Sequence, residues 1–261
     1  MYYYTAFRLT SERSLKDIEI FLLIDNKMQY NNIIMEKTFV LSLGGSILVP
    51  NNIDTDFLSE FKTAVLKYLD TNENRIIFVV GGGATARVYQ NAAKSVNRNI
   101  SNSELDMIGI RCTHANAEYV KTAFGAFSPV VTNPKKKNIP FDGRILVAGG
   151  WKPGFSTDTD AVYLAIRFGA KTVINLSNTD MVYTDNPKTN PNAKPIKSIS
   201  GPDFQKLVGT KWEPGKNVPF DPIATKLAIK NNLQIICAGG RNIQNTINIL
   251  NGKPFIGTTI N

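Results

Sequence analysis

The sequence has 261 residues, of which 43% are hydrophobic and 20% are charged, a balance typical of a folded globular protein with a sizeable core. No stretch is long enough to span a membrane. The formal net charge of +9 indicates either an anionic ligand, such as a nucleotide or nucleic acid, or a general bias toward lysine and asparagine. The one basic run, Lys135-Lys136-Lys137, is interpreted as a solvated loop rather than a nucleic-acid surface.

The few cysteines and histidines narrow the chemistry further. Cys112 and Cys237 lie far apart and in no metal-ligand spacing, so we expect reduced thiols of a cytoplasmic protein. The single histidine, His114, argues against a histidine-based zinc site and against a Ser-His-Asp triad. The short apolar run 18–24 lacks the layout of a signal peptide.

Residues 1–34 differ in composition from the rest of the chain. They open with three tyrosines and end in an Asn/Ile stretch, whereas Met35 begins a predicted strand. We therefore expect a core domain at 35–261 and an N-terminal extension, or an upstream start, at 1–34; the alternative is a genuine helix around 14–24. Deletion of residues 1–34 should leave activity and melting temperature nearly intact.

Two glycine-rich turns follow two apolar strands in the first third of the chain. Gly44-Gly45-Ser46 follows residues 38–43, and Gly81-Gly82-Gly83 follows residues 75–80. Without Cβ atoms, backbone N–H groups can approach an anion closely, and the next helix points its positive end at the same anion. Two such turns predict two phosphate-bearing groups and phosphoryl transfer between them.

The second turn has an alternative interpretation. From Gly81 to Ala86 it fits the relaxed dinucleotide fingerprint G-x-G-x-x-A. A dinucleotide site also needs an acidic residue after a second strand, and Glu104 and Asp106 instead follow the polar loop 97–103. NAD binding is therefore the weaker hypothesis, and no P-loop motif is present.

Apolar runs and amphipathic segments alternate from residue 35 onward. The predicted strands are 38–43, 75–80, 129–132, 144–148, 171–176, 233–237 and 255–259. The predicted helices are 55–69, 84–95, 104–124, 158–168, 202–207, 221–231 and 242–250. This order predicts an α/β fold with a mainly parallel sheet covered by helices on both faces, and loops from four strands that face one crevice.

A third polar segment runs from Gly149-Gly150 to the start of the helix predicted at 158–168. Ser156 and Thr157 suit a helix cap, and Asp158 and Asp160 suit its first turn. In the functional interpretation the same groups hold a transferring phosphoryl group, with Asp158 orienting Lys152 or binding Mg²⁺.

Two further segments carry polar side chains at the ends of elements. Asn178, Asp180, Tyr183 and Asn186 follow strand 171–176, as a simple turn or as a nucleoside site in which the ring packs on the base. Asp221-Pro222 fits a helix cap with proline in the first helical position, and Lys226 fits a solvated lysine.

These five segments, in this order, resemble the amino-acid-kinase superfamily, and within it the uridylate (UMP) kinases of the archaeal type. The resemblance covers nearly all of the core. The residues that carry it are 43–50, Gly81, Gly82, Gly83, Ala86, Arg87, Asp106, Gly109, Ile110, Pro153, Gly154, Thr157, Asp158, Asp180, 182–184, Pro187, Lys188, Asp221, Pro222, Ala224 and Lys226.

The resemblance implies a three-layer αβα sandwich that transfers the γ-phosphoryl group of ATP to UMP. It implies Mg²⁺ as cofactor and a homohexamer built from dimers, with no nucleic acid or membrane partner. Its pattern assigns Gly44, Gly45 and Ser46 to the transferring phosphoryl, Gly82, Gly83 and Arg87 to the UMP phosphate, Asp106 to the UMP ribose, Thr157 and Asp158 to the reaction centre, and Asn178, Asp180, Tyr183 and Asn186 to the ATP site.

The chain departs from the family pattern at several positions. Ser42 stands where many members carry a lysine, and Lys152 and Lys226 are the cations expected to replace it. Met181 replaces a glycine, and Asn186 replaces an aspartate often found at the ATP site. In the variable segment 209–217, Trp212 is expected either to stack on adenine or to cover the core.

Other functions remain as alternatives at this point. A non-catalytic nucleotide sensor or storage assembly on the same fold is favoured by Ser42, Met181 and Asn186. An isopentenyl phosphate kinase should carry a histidine just after the glycine triplet, where this chain has Ala84 and Thr85. Amino-acid acceptors fit Arg87 less well than a phosphate-bearing acceptor does.

Overall fold

A computed structural model describes residues 37–187, 189–210 and 218–261. The expectations for residues 1–34, for the alternative helix at 14–24 and for Trp212 lie outside the described residues. None of the described helices is long and apolar enough to cross a membrane.

The predicted alternation of strands and helices is confirmed along the described chain. The strands are β1 (Thr38–Leu43), β2 (Arg75–Val80), β3 (Ile145–Ala148), β4 (Thr172–Ser177), β5 (Val182–Tyr183), β6 (Pro195–Ile196), β7 (Ser198–Ile199), β8 (Gln234–Gly239) and β9 (Thr258–Ile260). The helices are α1 (Gly45–Leu48), α2 (Thr55–Asp70), α3 (Gly83–Val96), α4 (Asn102–Phe124), α5 (Thr157–Phe168), α6 (Gly201–Val208), α7 (Pro222–Lys230) and α8 (Ile243–Leu250).

Seven of these strands form one sheet in the order β3-β2-β1-β4-β8-β9-β7, and β5 and β6 form a separate two-stranded sheet. The first five strands in this order are parallel, β9 runs antiparallel to β8, and β7 is parallel to β9. The predicted mainly parallel sheet is therefore confirmed. The carboxyl ends of β1, β2, β3 and β4 lie side by side, which is where ligands bind in sheets of this kind.

Helices cover both faces of the sheet, as predicted for a three-layer αβα sandwich. Alternate strand residues point to opposite faces, so Leu41 belongs to one apolar core and its neighbour Val40 to the other. Helices α2, α4 and α8 pack in the first core, and α5, α6 and α7 pack in the second. The chain folds this way because the central strands are apolar at successive positions and can be buried on both sides.

Helix caps confirm two local predictions. Asp221 is the N-cap of α7, where its Oδ1 atom accepts the N–H groups of Ile223 at 2.6 Å and Ala224 at 2.8 Å, with Pro222 in the first turn. Ser156 caps α5.

The shortest elements differ from the prediction. The strand expected at 129–132 is reduced to one bridge between Val131 and Ala148. Helix α1, the two-stranded β5–β6 hairpin and β7 are not among the predicted elements. Elements of two to four residues show no hydrophobic period, so sequence patterns cannot reveal them.

Candidate active site

A cavity of about 590 Å³ lies at the carboxyl ends of β1 and β4, large enough for a small-molecule ligand. Its walls include Ser42 and Asn175 from paired positions of these two strands, Tyr183 of β5 and Leu207 of α6. Seven residues of the predicted site line it: Gly44, Ser46, Thr157, Asp158, Asn178, Tyr183 and Asn186. The structure thus gathers residues from separate segments around one space.

The two glycine turns touch each other, backbone to backbone. A Cβ atom on Gly45 would overlap the backbone of Gly83, and one on Gly81 would overlap the backbone nitrogen of Gly45. Gly83 also has a φ of +60°, a conformation that side chains disfavour. The sequence interpretation explained these glycines by close approach to an anion, whereas the structure gives mutual packing as a sufficient reason.

Helix α4 holds the second glycine turn and Gly150 from one side. The buried Asn116 side chain donates from Nδ2 to the carbonyl oxygens of Gly81 at 2.9 Å and Gly82 at 3.1 Å. Thr113 Oγ1 accepts the N–H of Gly150 at 2.7 Å, and His114 Nε2 lies 2.7 Å from the Gly150 carbonyl oxygen. His114 therefore has a bond to the backbone that requires no catalytic role.

Three of the predicted acceptor residues, Gly82, Gly83 and Arg87, lie at the start of α3. Gly82 is the N-cap of this 14-residue helix and no side chain caps it, while the N–H of Ala84 in the first turn donates to the Val49 carbonyl oxygen at 2.9 Å. Arg87, one turn into the helix, is exposed and donates from Nη2 to the Pro50 carbonyl oxygen at 3.1 Å. A helix N-terminus beside a guanidinium group favours a phosphate.

Ser42 and Asp158 form a hydrogen-bonded link between the cavity and α7. Ser42 Oγ donates to Asp158 Oδ1 at 3.0 Å, and the backbone N–H of Asp221 donates to Asp158 Oδ2 at 3.2 Å. The hydroxyl of Ser42 stands where many members of the resembled family carry a lysine, and it orients the carboxylate of Asp158.

Three carboxyl groups lie close enough to affect one another. Burial raises the pKa of Asp158 to about 6, and the charge of Asp221 adds to the rise. Burial raises the pKa of Asp160 to about 7, with further contributions from Asp158 and Asp221. None of the three forms an ion pair within the described ranges. A cation or a proton would stabilise this part of the site.

The two candidate lysines lie outside the cavity walls. Lys152 Nζ lies 4.3 Å from the ring centre of Trp151 and 4.9 Å from that of Phe155. Lys226 is exposed on α7. The structure therefore does not bring either ammonium group against Ser46 or Asp158, and the roles of both lysines stay predictions.

Two predicted aspartates have other partners. Asp106 Oδ2 accepts the N–H of Gly154 at 3.0 Å, so it holds the loop that follows β3. Asp180 packs beside Gly239 at the end of β8 and is not a cavity-lining residue. Neither contact tests the ribose and ATP roles expected from the resemblance.

Sequence reasoning missed several residues that shape the site. Asn175 interrupts an apolar strand, and its Nδ2 atom donates to the Pro219 carbonyl oxygen at 2.7 Å across the cavity wall. Asn116 and Thr113 are likewise polar and buried in a helix. A polar residue within an apolar run was the available signal, because buried polar groups need specific partners.

The chain matches the amino acid kinase family model over residues 37–239. The chain therefore belongs to the amino acid kinase family. It is 34% identical over 226 residues to the uridylate kinase of Pyrococcus abyssi, a match that covers 85% of this chain and 98% of the relative. It is 33% identical to the uridylate kinase of Thermoplasma volcanium, covering 87% and 98% of the two chains.

Crystal structures show the same fold. The uridylate kinase of Archaeoglobus fulgidus matches 87% of this chain and all of its own, with a TM-score of 0.69 and 29% identity. The UMP kinase of Bacillus anthracis gives a TM-score of 0.70 at 23% identity, covering 86% and 96% of the two chains, a likeness in fold alone.

Proposed function

We propose that this protein is a UMP kinase that transfers the γ-phosphoryl group of ATP to UMP, giving UDP and ADP. The observation that carries the proposal is the backbone contact between Gly45 and Gly83, because it places a nucleotide-sized cavity beside the N-terminus of α3. The relatives named uridylate kinase support UMP as the acceptor.

In this proposal catalysis consists of positioning and charge neutralisation. Gly44, Gly45 and Ser46 hold the donor phosphates at the cavity, and Gly82, Gly83 and Arg87 hold the UMP phosphate across the glycine contact. Thr157 and Asp158 lie at the junction. The acceptor phosphate is ionised at neutral pH, so no general base is needed. Phosphoryl transfer depends mainly on such alignment and on electrostatic stabilisation.

The residues present fit Mg²⁺ that enters with ATP. Within the described ranges, no group of three or more His, Cys, Asp or Glu side chains is placed to hold a metal ion. Mg²⁺ is commonly held by substrate phosphates and water with few protein ligands. The cavity oxygens of Ser46 and Asp158 are available to its water ligands, and the ion supplies neutralisation of phosphate charge.

The proposal includes a cytoplasmic homohexamer built from dimers. Helix α3 supports self-association, since Val88, Tyr89 and Val96 on it are 64%, 62% and 91% exposed. Light scattering should give about six times the chain mass of 28.8 kDa. A monomeric mass would contradict this part of the proposal.

An ADP-release assay tests the function. Mg-ATP is combined in turn with UMP, CMP, AMP, GMP, isopentenyl phosphate, aspartate and glutamate. Turnover with UMP in preference to the others is expected. Turnover with a different acceptor would overturn the assignment of substrate.

A non-catalytic nucleotide-binding protein is the second candidate. It is favoured by Ser42, which supplies a hydroxyl where many family members supply a cation, and which is hydrogen-bonded to Asp158. Binding of ATP and UMP by calorimetry without turnover of any acceptor would establish this alternative.

A further inference from the structure

Asp160 is a buried carboxyl group that the proposed phosphoryl transfer does not use. It lies in the first turn of α5, two residues after Asp158, and has no exposed surface. Its Oδ2 atom accepts the backbone N–H of Trp151 at 3.0 Å. Its Oδ1 atom is buried without a hydrogen-bond partner among the described residues.

The bond from Trp151 joins two parts of the site. Trp151 belongs to the loop 149–156 after β3, whereas Asp160 belongs to the helix that begins with Thr157 and Asp158. The same loop is tied to α4 by the bonds from Gly150 to Thr113 and from Gly154 to Asp106. Asp160 therefore connects α5 to a loop that is otherwise attached to α4, the helix that carries Asp106, which we expect at the UMP ribose.

A buried carboxyl with one unpartnered oxygen is costly to a protein. Its sequence neighbours Ala161, Val162 and Leu164 belong to an apolar core, and their side chains offer a carboxyl group no hydrogen bond. The helix cap does not require it, since Ser156 accepts the N–H of Thr159. The hydrogen bond from the Trp151 N–H is thus the specific interaction that the Asp160 side chain provides.

We propose that Asp160 is a positioning residue that fixes the loop 149–156 relative to α5 and thereby sets the affinity for the acceptor nucleotide. This inference rests on the proposed UMP kinase function. It predicts that the acceptor side depends on Asp160, while the ATP cavity, whose walls include Asn175 and Tyr183, does not.

The test compares the steady-state kinetics of Asp160→Ala and Asp160→Asn in the full chain. Asp160→Ala should raise the KM for UMP about 10-fold and change the KM for ATP less than about twofold, because small displacements of binding groups weaken binding sharply. Asp160→Asn should restore the UMP KM to within about threefold, since its amide oxygen accepts the same N–H.

Asn175→Ala is the matched control. Asn175 is also buried and also holds backbone, at the carbonyl oxygen of Pro219, but on the ATP cavity wall. It should raise the KM for ATP and spare that for UMP. If thermal melting shows that Asp160→Ala does not fold, Asp160→Thr takes its place. Threonine has nearly the same size as aspartate but is too short to accept the N–H of Trp151, so the same rise in the KM for UMP is expected.

The outcomes separate the two proposals. Wild-type turnover of UMP with an unchanged UMP KM in Asp160→Ala, or with both KM values raised equally, would overturn the role of Asp160 alone. Absence of UMP turnover in the wild type would overturn the function and this inference together. A selective rise in UMP KM that Asp160→Asn reverses would establish the positioning role.

Discussion

Ser42 stands at a position where many family members carry a lysine, and its side chain makes a specific contact there. Its hydroxyl is buried, lies opposite Asn175 across the β1–β4 pair and donates to Asp158. A lysine here would bring a positive charge, whereas serine brings only orientation of the carboxylate. In the proposed phosphoryl transfer, the charge that a lysine would bring comes from an ion bound with the nucleotide or from another side chain.

Lys152 is the first candidate for that charge. Its ammonium group lies over the Trp151 ring, and an exposed cation–π contact is worth only about 0.5–1 kcal/mol, so the group can leave the ring when phosphate arrives. Lys152→Ala should lower kcat by roughly 10²-fold, as expected when a charge-stabilising group is lost. Lys226→Ala measured in the same assay is the comparison, and a larger loss there would assign the role to Lys226.

Arg87 belongs to the acceptor side in the proposed function. Arg87→Ala should raise the KM for UMP about 10- to 100-fold with little effect on that for ATP, because a hydrogen bond to a charged group contributes about 1.5–3 kcal/mol. Lys94→Ala, an exposed cation in the last turn of the same helix, should change neither constant. An unchanged UMP KM in Arg87→Ala would remove this residue from the acceptor site.

At the scale of elements, the glycine turns matter through packing as much as through ligand approach. Gly45→Ala should destabilise the protein by about 3 kcal/mol or more in urea unfolding, since its Cβ overlaps the Gly83 backbone and no side-chain rotation relieves the overlap. Gly125→Ala is the control: that residue has a φ of +64° and open space around it, so only the backbone cost of about 1–2 kcal/mol applies. Equal losses of unfolding free energy in the two variants would mean that the two glycine turns can move apart to accommodate the added methyl group.

Helix α4 is expected to support the second glycine turn directly. Asn116→Leu leaves the carbonyl oxygens of Gly81 and Gly82 without their side-chain donor and should cost about 1–3 kcal/mol. It should also raise the KM for UMP. Asn251→Leu, at an exposed C-cap whose side chain bonds the Ile247 carbonyl, should have a much smaller effect on the melting temperature and none on KM.

Helices and strands were predictable from the sequence where they are long enough to show a hydrophobic period. Strands β1 and β2 and helix α2 lie within one residue of the predicted bounds, because apolar runs and helical periods mark them. The pinning of the glycine turns by Asn116 was not predictable, since a contact over 34 and 35 residues leaves no local pattern. The hydrogen bond from the Gly154 N–H to Asp106 was not predictable for the same reason.

For the whole molecule, the buried carboxyl groups make stability depend on pH. The pKa of Asp160 is about 7 in the folded protein and near 3.9 when unfolded, so the folded state binds more protons. The contribution of Asp160 to the free energy of unfolding therefore falls as pH rises from about 4 through 7.

Asp160→Asn removes this contribution. Its melting temperature relative to the wild type should increase between about pH 5 and pH 8, by an amount equivalent to at most about 3 kcal/mol. Differential scanning calorimetry at both pH values gives the comparison. A difference that is independent of pH would show that Asp160 has an ordinary pKa in the folded protein.

The backbone contact between the two glycine turns has a consequence for inhibitor chemistry. With no side chain between Gly45 and Gly83, the separation of the two turns that we propose bind phosphate cannot be adjusted by rotamer changes. A compound that joins adenosine and uridine through a chain of phosphates should therefore have one best chain length. Adding or removing a single phosphate should weaken it steeply, in contrast to the gradual dependence expected of two turns on flexible loops.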